Sequence, residues 1–216
     1  MDNKILSIYE MLFVHYGNLN WWPAKSPYEV IVGAVLTQNT NWSNVEKAIA
    51  NFGDDLSPEF VANADLNDLI SIIRPAGFFN QKANYLKAVT AWFSGYDYCV
   101  ANVQRESLDK LRKELLAVKG IGQETADSIL LYAFGFPTFV VDAYTFRLCM
   151  RYAINAGNKY SDVKNYFENN LPKDSGLYNN FHACIVINAK DHCRKNKPLC
   201  SDCPLGAECC KYVRNK

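Results

Sequence analysis

The chain has 216 residues, of which 49% are apolar and 21% are charged, a balance that excludes global disorder and allows a substantial buried core. No apolar run approaches the roughly 18 residues of a membrane span. The start MDNKILSIYEML also lacks a secretory pattern, so we expect neither membrane insertion nor secretion. The net charge of +1 conceals an asymmetry, because residues 1–100 carry 6 Lys and Arg against 10 Asp and Glu, whereas residues 101–216 carry 17 against 12. The basic half fits either contact with a polyanion or an ordinary solvated surface.

Helical periodicity dominates the chain and alternating strand patterns are nearly absent, so the predicted fold class is all-α. The second predicted helix has a clear start, because Ser26 is a favoured N-cap and Pro27 suits a first turn, and it ends at residues 38–40. The other helices are predicted at residues 2–16, 42–52, 58–64, 66–73, 80–93, 108–116, 125–134, 144–153, 161–169 and 178–190.

Residues 118–147, VKGIGQETADSILLYAFGFPTFVVDAYTFR, form the most informative stretch. Gly120 and Gly122 flank Ile121 between two helical runs, which lets the backbone turn sharply and present bare N–H groups to a phosphate oxygen. Asp142 follows an apolar segment and precedes a predicted helix, where Asp is a favoured N-cap. Such a cap fixes a carboxylate in one place, so a structural and a chemical role are compatible.

Five of the eight cysteines lie within residues 193–210, and such clustering in a chain without a signal peptide indicates a metal site rather than a disulfide framework. Four of them follow a 6-2-5 spacing, at Cys193, Cys200, Cys203 and Cys209. Composition alone does not separate zinc from an iron–sulfur cluster, and Cys210 remains an alternative to Cys209 as the last ligand. Arg194 and Lys195 lie inside this loop and are candidates for phosphate contact, although solvation of a loop explains them nearly as well.

Over roughly residues 26–210 these motifs resemble the endonuclease III superfamily of DNA glycosylases. The sequence on both sides of the two glycines, including Thr125, matches the family's helix-hairpin-helix almost position by position, and the cysteine spacing is that of the family's [4Fe–4S] loop. The resemblance implies that Gly120, Gly122 and Thr125 bind DNA phosphates without reading sequence. It implies that Asp142 supports loss of the base by stabilising positive charge on the sugar and helping to activate the nucleophile. It also implies a structural iron–sulfur cluster.

The family fold implies two helical domains with the DNA cleft between them. Residues 24–133 are expected to form the domain with the hairpin, and residues 1–23 together with 134–216 the cluster domain. The expected partner is double-stranded DNA containing a damaged base, which is flipped out for hydrolysis of its N-glycosidic bond. We expect a monomeric protein of the cytoplasm that associates with the nucleoid.

Glu124 marks a departure from one branch of the family. Bifunctional members place a lysine two residues after the second glycine, where its amine attacks the sugar and later cuts the strand. This chain has Glu124 there, and a carboxylate cannot form a Schiff base. The resemblance therefore implies a monofunctional glycosylase with water as the nucleophile.

The N-terminal segment provides the clue to the substrate. Gln38 matches the family position whose glutamine enters the helix in place of the extruded base. Trp42, together with the stretch Trp21-Trp22-Pro23, is similar to the 3-methyladenine glycosylase III branch, in which aromatic side chains from these two places sandwich an alkylated purine. Packing between helices explains each tryptophan alone about as well.

Three other functions remain open at this point. A mismatch thymine/uracil or adenine glycosylase would differ only in its pocket, and a bifunctional lyase would need another amine near Asp142. A non-catalytic DNA-binding iron–sulfur protein would keep the hairpin and the cysteines without depending on Asp142.

Overall fold

The computed structural model describes the backbone of residues 3–213 and the side chains of residues 4–209, and every regular element in that range is helical. The predicted all-α fold is therefore confirmed. A 3₁₀ turn, Arg74–Ala76, follows α5, and a π-helical turn, Ile129–Ala133, continues α9. None of the described helices combines the length and apolarity that crossing a membrane requires. The helices are α1 Asn3–Tyr16, α2 Pro27–Leu36, α3 Trp42–Ala50, α4 Pro58–Asn63, α5 Leu66–Ile72, α6 Phe79–Ser94, α7 Val100–Val103, α8 Leu108–Ala117, α9 Gln123–Ser128, α10 Ala143–Arg151, α11 Tyr160–Asn170, α12 Ser175–Asp191 and α13 Gly206–Val213.

Most predicted helices occur within a few residues of their expected bounds, and the start predicted at residue 2 lies outside the described residues. Ser26 caps α2 as expected, since its side chain accepts the Glu29 N–H and Pro27 occupies the first turn. Two short helices, α7 and α13, were not predicted. A single turn such as α7 contains too few residues to show a hydrophobic period. Helix α13 contains Cys209, and the cysteine spacing indicated a metal-binding loop there rather than a helix.

The chain divides into two compact units. One is Trp22–Phe136, and the other comprises the described residues up to Trp21 together with those from Pro137 onward. The first unit is built around α2, in which every residue from Tyr28 to Leu36 except Glu29 is buried. A helix that is apolar on all sides belongs inside a ring of other helices, and α3, α6 and the π-helical turn pack against it.

An ion pair joins the two helices of the hairpin. Asp127 on α9 is fully buried, and the Arg112 guanidinium on α8 reaches it with Nε 2.8 Å from Oδ1 and Nη2 3.1 Å from Oδ2. A two-point contact of this kind fixes orientation as well as distance. Arg112 therefore sets how α8 and α9 meet at the turn between them.

In the second unit, α1 and α10 pack against α12. The extended segment 137–142 leads into α10 and is held by α11 through three contacts. Glu168 Oε1 accepts the Phe139 N–H at 2.8 Å, Lys164 donates to Thr138 Oγ1, and the Val141 N–H reaches the Tyr160 hydroxyl at 3.4 Å. Phe139 stacks on Phe167 with ring centroids 4.5 Å apart. The segment that ends at Asp142 is therefore fixed by both hydrogen bonds and packing.

Replacing the guanidinium of the buried ion pair should destabilise the first unit strongly. Arg112→Met leaves the Asp127 carboxylate buried without this partner, and breaking a buried pair in this way costs about 3–5 kcal/mol. Urea unfolding measures the loss. Arg105→Met, which removes an exposed arginine from the same unit, is the matched control and should change the free energy of unfolding by less than about 0.5 kcal/mol. Equal effects of the two variants would show that the pair does not hold the hairpin together.

Candidate active site and nucleic-acid interface

The two hairpin glycines have different physical reasons to be glycine. Gly120 has a positive φ of 86°, and a Cβ there would lie 2.2 Å from the Tyr85 ring. Gly122 has a φ of −87°, and a Cβ there would meet nothing within 4 Å. Gly120 is thus required by both backbone and packing, whereas Gly122 leaves the backbone at the start of α9 uncovered. Tyr85 was not singled out from the sequence, because an aromatic residue within a helix looks like any other packing residue.

Gln38 contacts the hairpin directly. Its Nε2 donates to the Gly120 carbonyl and to Thr125 Oγ1, both at 3.0 Å. Three of the residues predicted to contact DNA are thereby brought together in the first unit. A Gln38 side chain that enters a DNA helix has to release both acceptors, so the predicted insertion of Gln38 is coupled to the hairpin.

A buried lysine supports the backbone just before Gln38. Lys82 is 2% exposed, and its Nζ donates to the carbonyls of Leu36 and Ala76, both at 2.8 Å. Burial lowers the pKa of Lys82 to about 8. The ammonium bonds the carbonyl of the last residue of α2, where a positive charge is favoured by the helix dipole. Lys82 therefore anchors the end of α2, from which Gln38 projects, against the turn at Arg74–Ala76.

Asp142 is the N-cap of α10, as its position before a predicted helix indicated. Its Oδ1 accepts three hydrogen bonds, from the Tyr144 N–H at 2.9 Å, the Thr145 N–H at 2.8 Å and the Thr145 hydroxyl at 3.0 Å. The other carboxylate oxygen, Oδ2, lies 3.5 Å from His182 Nε2. The two oxygens thus have separate surroundings: Oδ1 holds the helix start, and Oδ2 faces an imidazole.

The surroundings of Asp142 favour its charged form. Burial by itself raises the pKa of the carboxyl, but the His182 imidazole and the hydrogen bonds from Thr145 outweigh burial and place the pKa below its ordinary value. Asp142 is therefore a carboxylate at neutral pH despite a side chain only 12% exposed. A desolvated, ionised carboxylate held in one orientation is suited to stabilising a developing positive charge.

The tryptophans of the predicted substrate site contact each other. The Trp22 and Trp42 rings meet edge to face, with centroids 5.1 Å apart and planes at 81°, and Tyr132 lies against Trp22 at 5.2 Å. Trp42 Nε1 donates to Glu46 Oε1 at 2.9 Å, and Trp22 lies over Gly33, where a Cβ would come within 3.2 Å of its ring. Two rings in this arrangement leave no room for a base between their faces, so binding in that position requires one indole to rotate.

Pro23 is exposed beside this aromatic group, whereas Trp21 packs in the other unit, where Lys190 Nζ lies 5.9 Å from its ring centroid. Tyr132 was missed in the sequence because it lies in a helical run that indicated core. Its contact with Trp22 joins two segments that lie far apart in the sequence.

The cysteine loop is attached to α10 and α12. On α10, Arg151 donates through Nη1 to Cys193 Sγ at 3.0 Å, and the Arg151 carbonyl lies 3.5 Å from Cys209 Sγ. On α12, Asn188 Oδ1 lies 3.4 Å from Cys203 Sγ. Gly206 is required here, because a Cβ would lie 2.1 Å from the Cys200 carbonyl oxygen. The loop that carries the four predicted thiols is therefore held against α10 and α12, and soft sulfur donors of this number fit zinc or iron–sulfur chemistry.

Within residues 4–209, no three side chains of His, Cys, Asp or Glu approach closely enough to enclose a metal ion in the geometry found here. The side chain of Cys210 lies outside that range, so its competition with Cys209 as a ligand stays open. The predicted phosphate contacts Arg194 and Lys195 are exposed, and Arg151 Nη2 holds their carbonyls at 2.7 Å and 3.3 Å. The loop backbone is thus fixed, and Arg194 Nε also donates to the Lys190 carbonyl at 3.2 Å.

The comparison with protein families agrees with this geometry. Residues 32–173 match the model described as HhH-GPD superfamily base excision DNA repair protein. The chain belongs to the HhH-GPD superfamily. It is therefore a base excision repair protein of the DNA glycosylase class, and the match includes the hairpin and Asp142.

Individual relatives extend the similarity over nearly the whole chain. A provisionally named DNA repair glycosylase of Methanocaldococcus jannaschii is 49% identical, over 96% of this chain and 98% of the relative. Endonuclease III of Sulfolobus acidocaldarius is 29% identical, over 88% and 85%. Among solved structures, 3-methyladenine DNA glycosylase of H. pylori bound to 1,N6-ethenoadenine aligns with a TM-score of 0.76 at 29% identity, covering 86% of this chain and 97% of that one. A non-covalent endonuclease III–DNA complex aligns with a TM-score of 0.80 at 21% identity, over 99% of both chains, and shows the shared fold.

The difference between the two glycines yields a matched pair of variants. Gly120→Ala places a side chain on a left-handed backbone and against the Tyr85 ring, so it should destabilise the protein by about 1–3 kcal/mol and weaken DNA binding. Gly122→Ala meets no steric obstacle and should change stability by less than about 1 kcal/mol. Urea unfolding and fluorescence anisotropy with a labelled duplex measure the two effects. The hairpin geometry described above is wrong if Gly120→Ala is as stable as the wild type.

Proposed function

We propose that this HhH-GPD protein is a monofunctional DNA glycosylase that hydrolyses the N-glycosidic bond of an alkylated, 3-methyladenine-like purine in double-stranded DNA. The observation that carries the proposal is the state of Asp142, a buried carboxylate kept ionised with one oxygen committed to the α10 cap and the other facing His182. It acts as a monomer on chromosomal DNA, in the cytoplasm and in association with the nucleoid.

The proposed reaction uses Asp142 as an electrostatic stabiliser. As the bond between sugar and base lengthens, the bonding pair leaves with the base and the sugar acquires oxocarbenium character. A fixed carboxylate stabilises this charge most when water is excluded and no reorganisation is needed. Water then adds to the sugar carbon, and Asp142 accepts the proton that this water loses and passes it to solvent. The products are a free base and an abasic site in an intact strand.

Glu124 supports the monofunctional assignment. It stands in the first turn of α9, where bifunctional relatives carry the nucleophilic lysine, and a carboxylate cannot form the imine on which strand cleavage depends. Because endonuclease III proteins are among the relatives, a bifunctional glycosylase and lyase is the second candidate function. Lys119 lies before the turn rather than within α9, so it is displaced from the position of that lysine.

DNA contact in the proposal comes from the hairpin and from the cysteine loop. Gly120, Gly122 and Thr125 supply backbone N–H and hydroxyl groups for phosphates, and Gln38 leaves its two hairpin acceptors to fill the space of the flipped nucleotide. Arg194 and Lys195 add exposed positive charge. Contacts of these kinds grip DNA without selecting a sequence.

The aromatic group supports an alkylated purine as the substrate. A purine methylated at N3 or N7 carries a positive charge, and an indole face attracts a cation by about 0.5–2 kcal/mol, whereas a neutral base gains only stacking. Glu46 fixes the Trp42 ring through Nε1, so Trp42 is the proposed stacking surface. Trp22 rotates from its edge contact, and Pro23 limits the pocket beside it. The H. pylori relative solved with 1,N6-ethenoadenine favours a purine in this role.

We also propose that Cys193, Cys200, Cys203 and Cys209 hold a [4Fe–4S] cluster, on the basis of their spacing and of the attachment of their loop to Arg151 and Asn188. The cluster would supply folding energy to a segment with little core of its own. Arg147 and Arg151 on α10 bind the backbone of this loop, so the cluster would support the helix that Asp142 caps.

A panel of duplexes, each with one damaged or mismatched base, tests the reaction. Base release should be followed by strand cleavage only after alkali, and borohydride should trap no protein–DNA adduct. Asp142→Asn keeps the shape of the cap but loses the charge, so base release should fall by about 10²-fold or more with lesion binding retained. A trapped adduct would move the enzyme to the lyase class, and a wild type inactive on every duplex would leave the non-catalytic alternative.

Two variants of Trp42 test the substrate. Trp42→Ala should reduce excision of 3-methyladenine by about 30-fold, the loss expected for a cation–aromatic contact of about 2 kcal/mol, with binding to abasic DNA nearly unchanged. Trp42→Phe keeps an aromatic face, loses the Glu46 contact and should have a smaller effect. If the protein instead releases thymine efficiently from a G·T pair and leaves methylated DNA intact, the substrate assignment is wrong and the protein is a mismatch glycosylase.

Absorption spectroscopy and metal analysis test the cluster. Anaerobically purified protein should absorb broadly near about 400 nm because thiolate sulfur donates charge to iron, with four irons per chain. Cys200→Ser should lose this absorption, whereas Cys149→Ser, at a buried cysteine outside the loop, should keep it. Colourless wild-type protein with stoichiometric zinc would contradict the iron–sulfur assignment.

A further inference from the structure

His182 is a polar residue in the interior of the second unit whose position is not explained by helix formation or packing alone. It lies in the middle of α12, 6% exposed, and its ring meets Phe139 edge to face at 6.5 Å. An apolar residue of similar size would satisfy that contact without the cost of burying a polar ring. The imidazole instead directs Nε2 at Asp142 Oδ2, 3.5 Å away.

The contact involves the oxygen of Asp142 that the helix does not use. All three cap hydrogen bonds, from Tyr144 N–H and from Thr145 N–H and hydroxyl, go to Oδ1. These bonds hold the carboxylate through one oxygen and from one helix. A contact from α12 to Oδ2 adds a second point of attachment on a different element, so a twist about the Cβ–Cγ bond is opposed from both sides.

We propose that His182 is the positioning residue for Asp142, holding Oδ2 in the orientation in which the carboxylate faces the reacting sugar. This inference rests on the proposed glycosylase function. His182 acts through Asp142, and Nε2 is the atom that matters. The proposal assigns it no contact with DNA and no proton transfer to substrate.

The two side-chain amides distinguish the nitrogens of the ring. The amide nitrogen of glutamine takes roughly the place of Nε2, and that of asparagine the place of Nδ1, so only His182→Gln keeps a donor at Asp142. In single-turnover excision, His182→Gln should stay within about 3-fold of the wild type, whereas His182→Asn and His182→Leu should fall by about 10-fold to 10²-fold, which is below the roughly 10²-fold to 10³-fold loss of a direct electrostatic stabiliser because His182 acts only through Asp142. The Gln and Asn variants should have the same affinity for abasic DNA and the same unfolding midpoint. If His182 had only a structural role, these two neutral amides would also excise the base at similar rates.

A second measurement reads the pair without turnover. In protein with ¹⁵N-labelled histidine, Asp142→Asn should shift the His182 Nε2 resonance, and the resonance of His15, exposed on α1, should stay in place.

The outcomes separate this inference from the proposed function. If Asp142→Asn is inactive while His182→Asn and His182→Gln both match the wild type, the glycosylase assignment stands and the role of His182 is overturned. An unmoved His182 resonance in Asp142→Asn would overturn it as well. If the wild type releases no base from any duplex, the proposed function is wrong, and so is the catalytic positioning role of His182. This holds even if the resonance shift shows that His182 and Asp142 interact.

Discussion

The N-terminal cap of α10 is the constraint on which the candidate active site depends. A capping carboxylate usually contributes about 1 kcal/mol to a helix, but Asp142 also places an ionised, largely desolvated carboxylate at the start of α10. Its Oδ1 takes three hydrogen bonds from the first turn of α10, and its backbone is reached through a segment that Glu168 and Tyr160 hold from α11. The position of the carboxylate is therefore defined before any substrate is present, which is the condition for effective electrostatic catalysis.

The opposite end of α10 holds the cysteine loop. Arg147 and Arg151 lie one turn apart and bind the backbone at Cys193, Arg194 and Lys195. Cations near a helix C-terminus are favoured by its dipole, so α10 carries the anionic group at its start and the groups that hold the cysteine loop at its end. A disturbance of the loop is expected to reach the cap through one rigid helix of nine residues.

In the other unit, the candidate DNA contacts are held by close packing, by hydrogen bonds and by a buried ion pair. Gly120 combines a left-handed backbone with a Tyr85 ring that leaves no room for a Cβ, and Gln38 bridges this turn to the end of α2 through two hydrogen bonds. Lys82 anchors the residue at which α2 ends. The Arg112–Asp127 pair then fixes the angle between the hairpin helices. Backbone groups aimed at a phosphate are thus held by neighbours whose own positions are fixed.

The sequence by itself determined what depends on neighbours along the chain. Ser26 and Asp142 cap the helices they precede because a cap is a contact over two or three residues, and the Gly-Ile-Gly turn and the cysteine spacing are equally local. The family resemblance rests on the same short motifs, and it identified the fold correctly. The tertiary structure alone decided the contacts between distant segments: His182 with Asp142, Tyr85 with Gly120, and Gln38 with a hairpin 82 positions away. It also showed Trp22 and Trp42 in edge-to-face contact rather than as two parallel faces. Such pairs follow from how whole helices pack, and no local propensity records which side chains will face each other once they do.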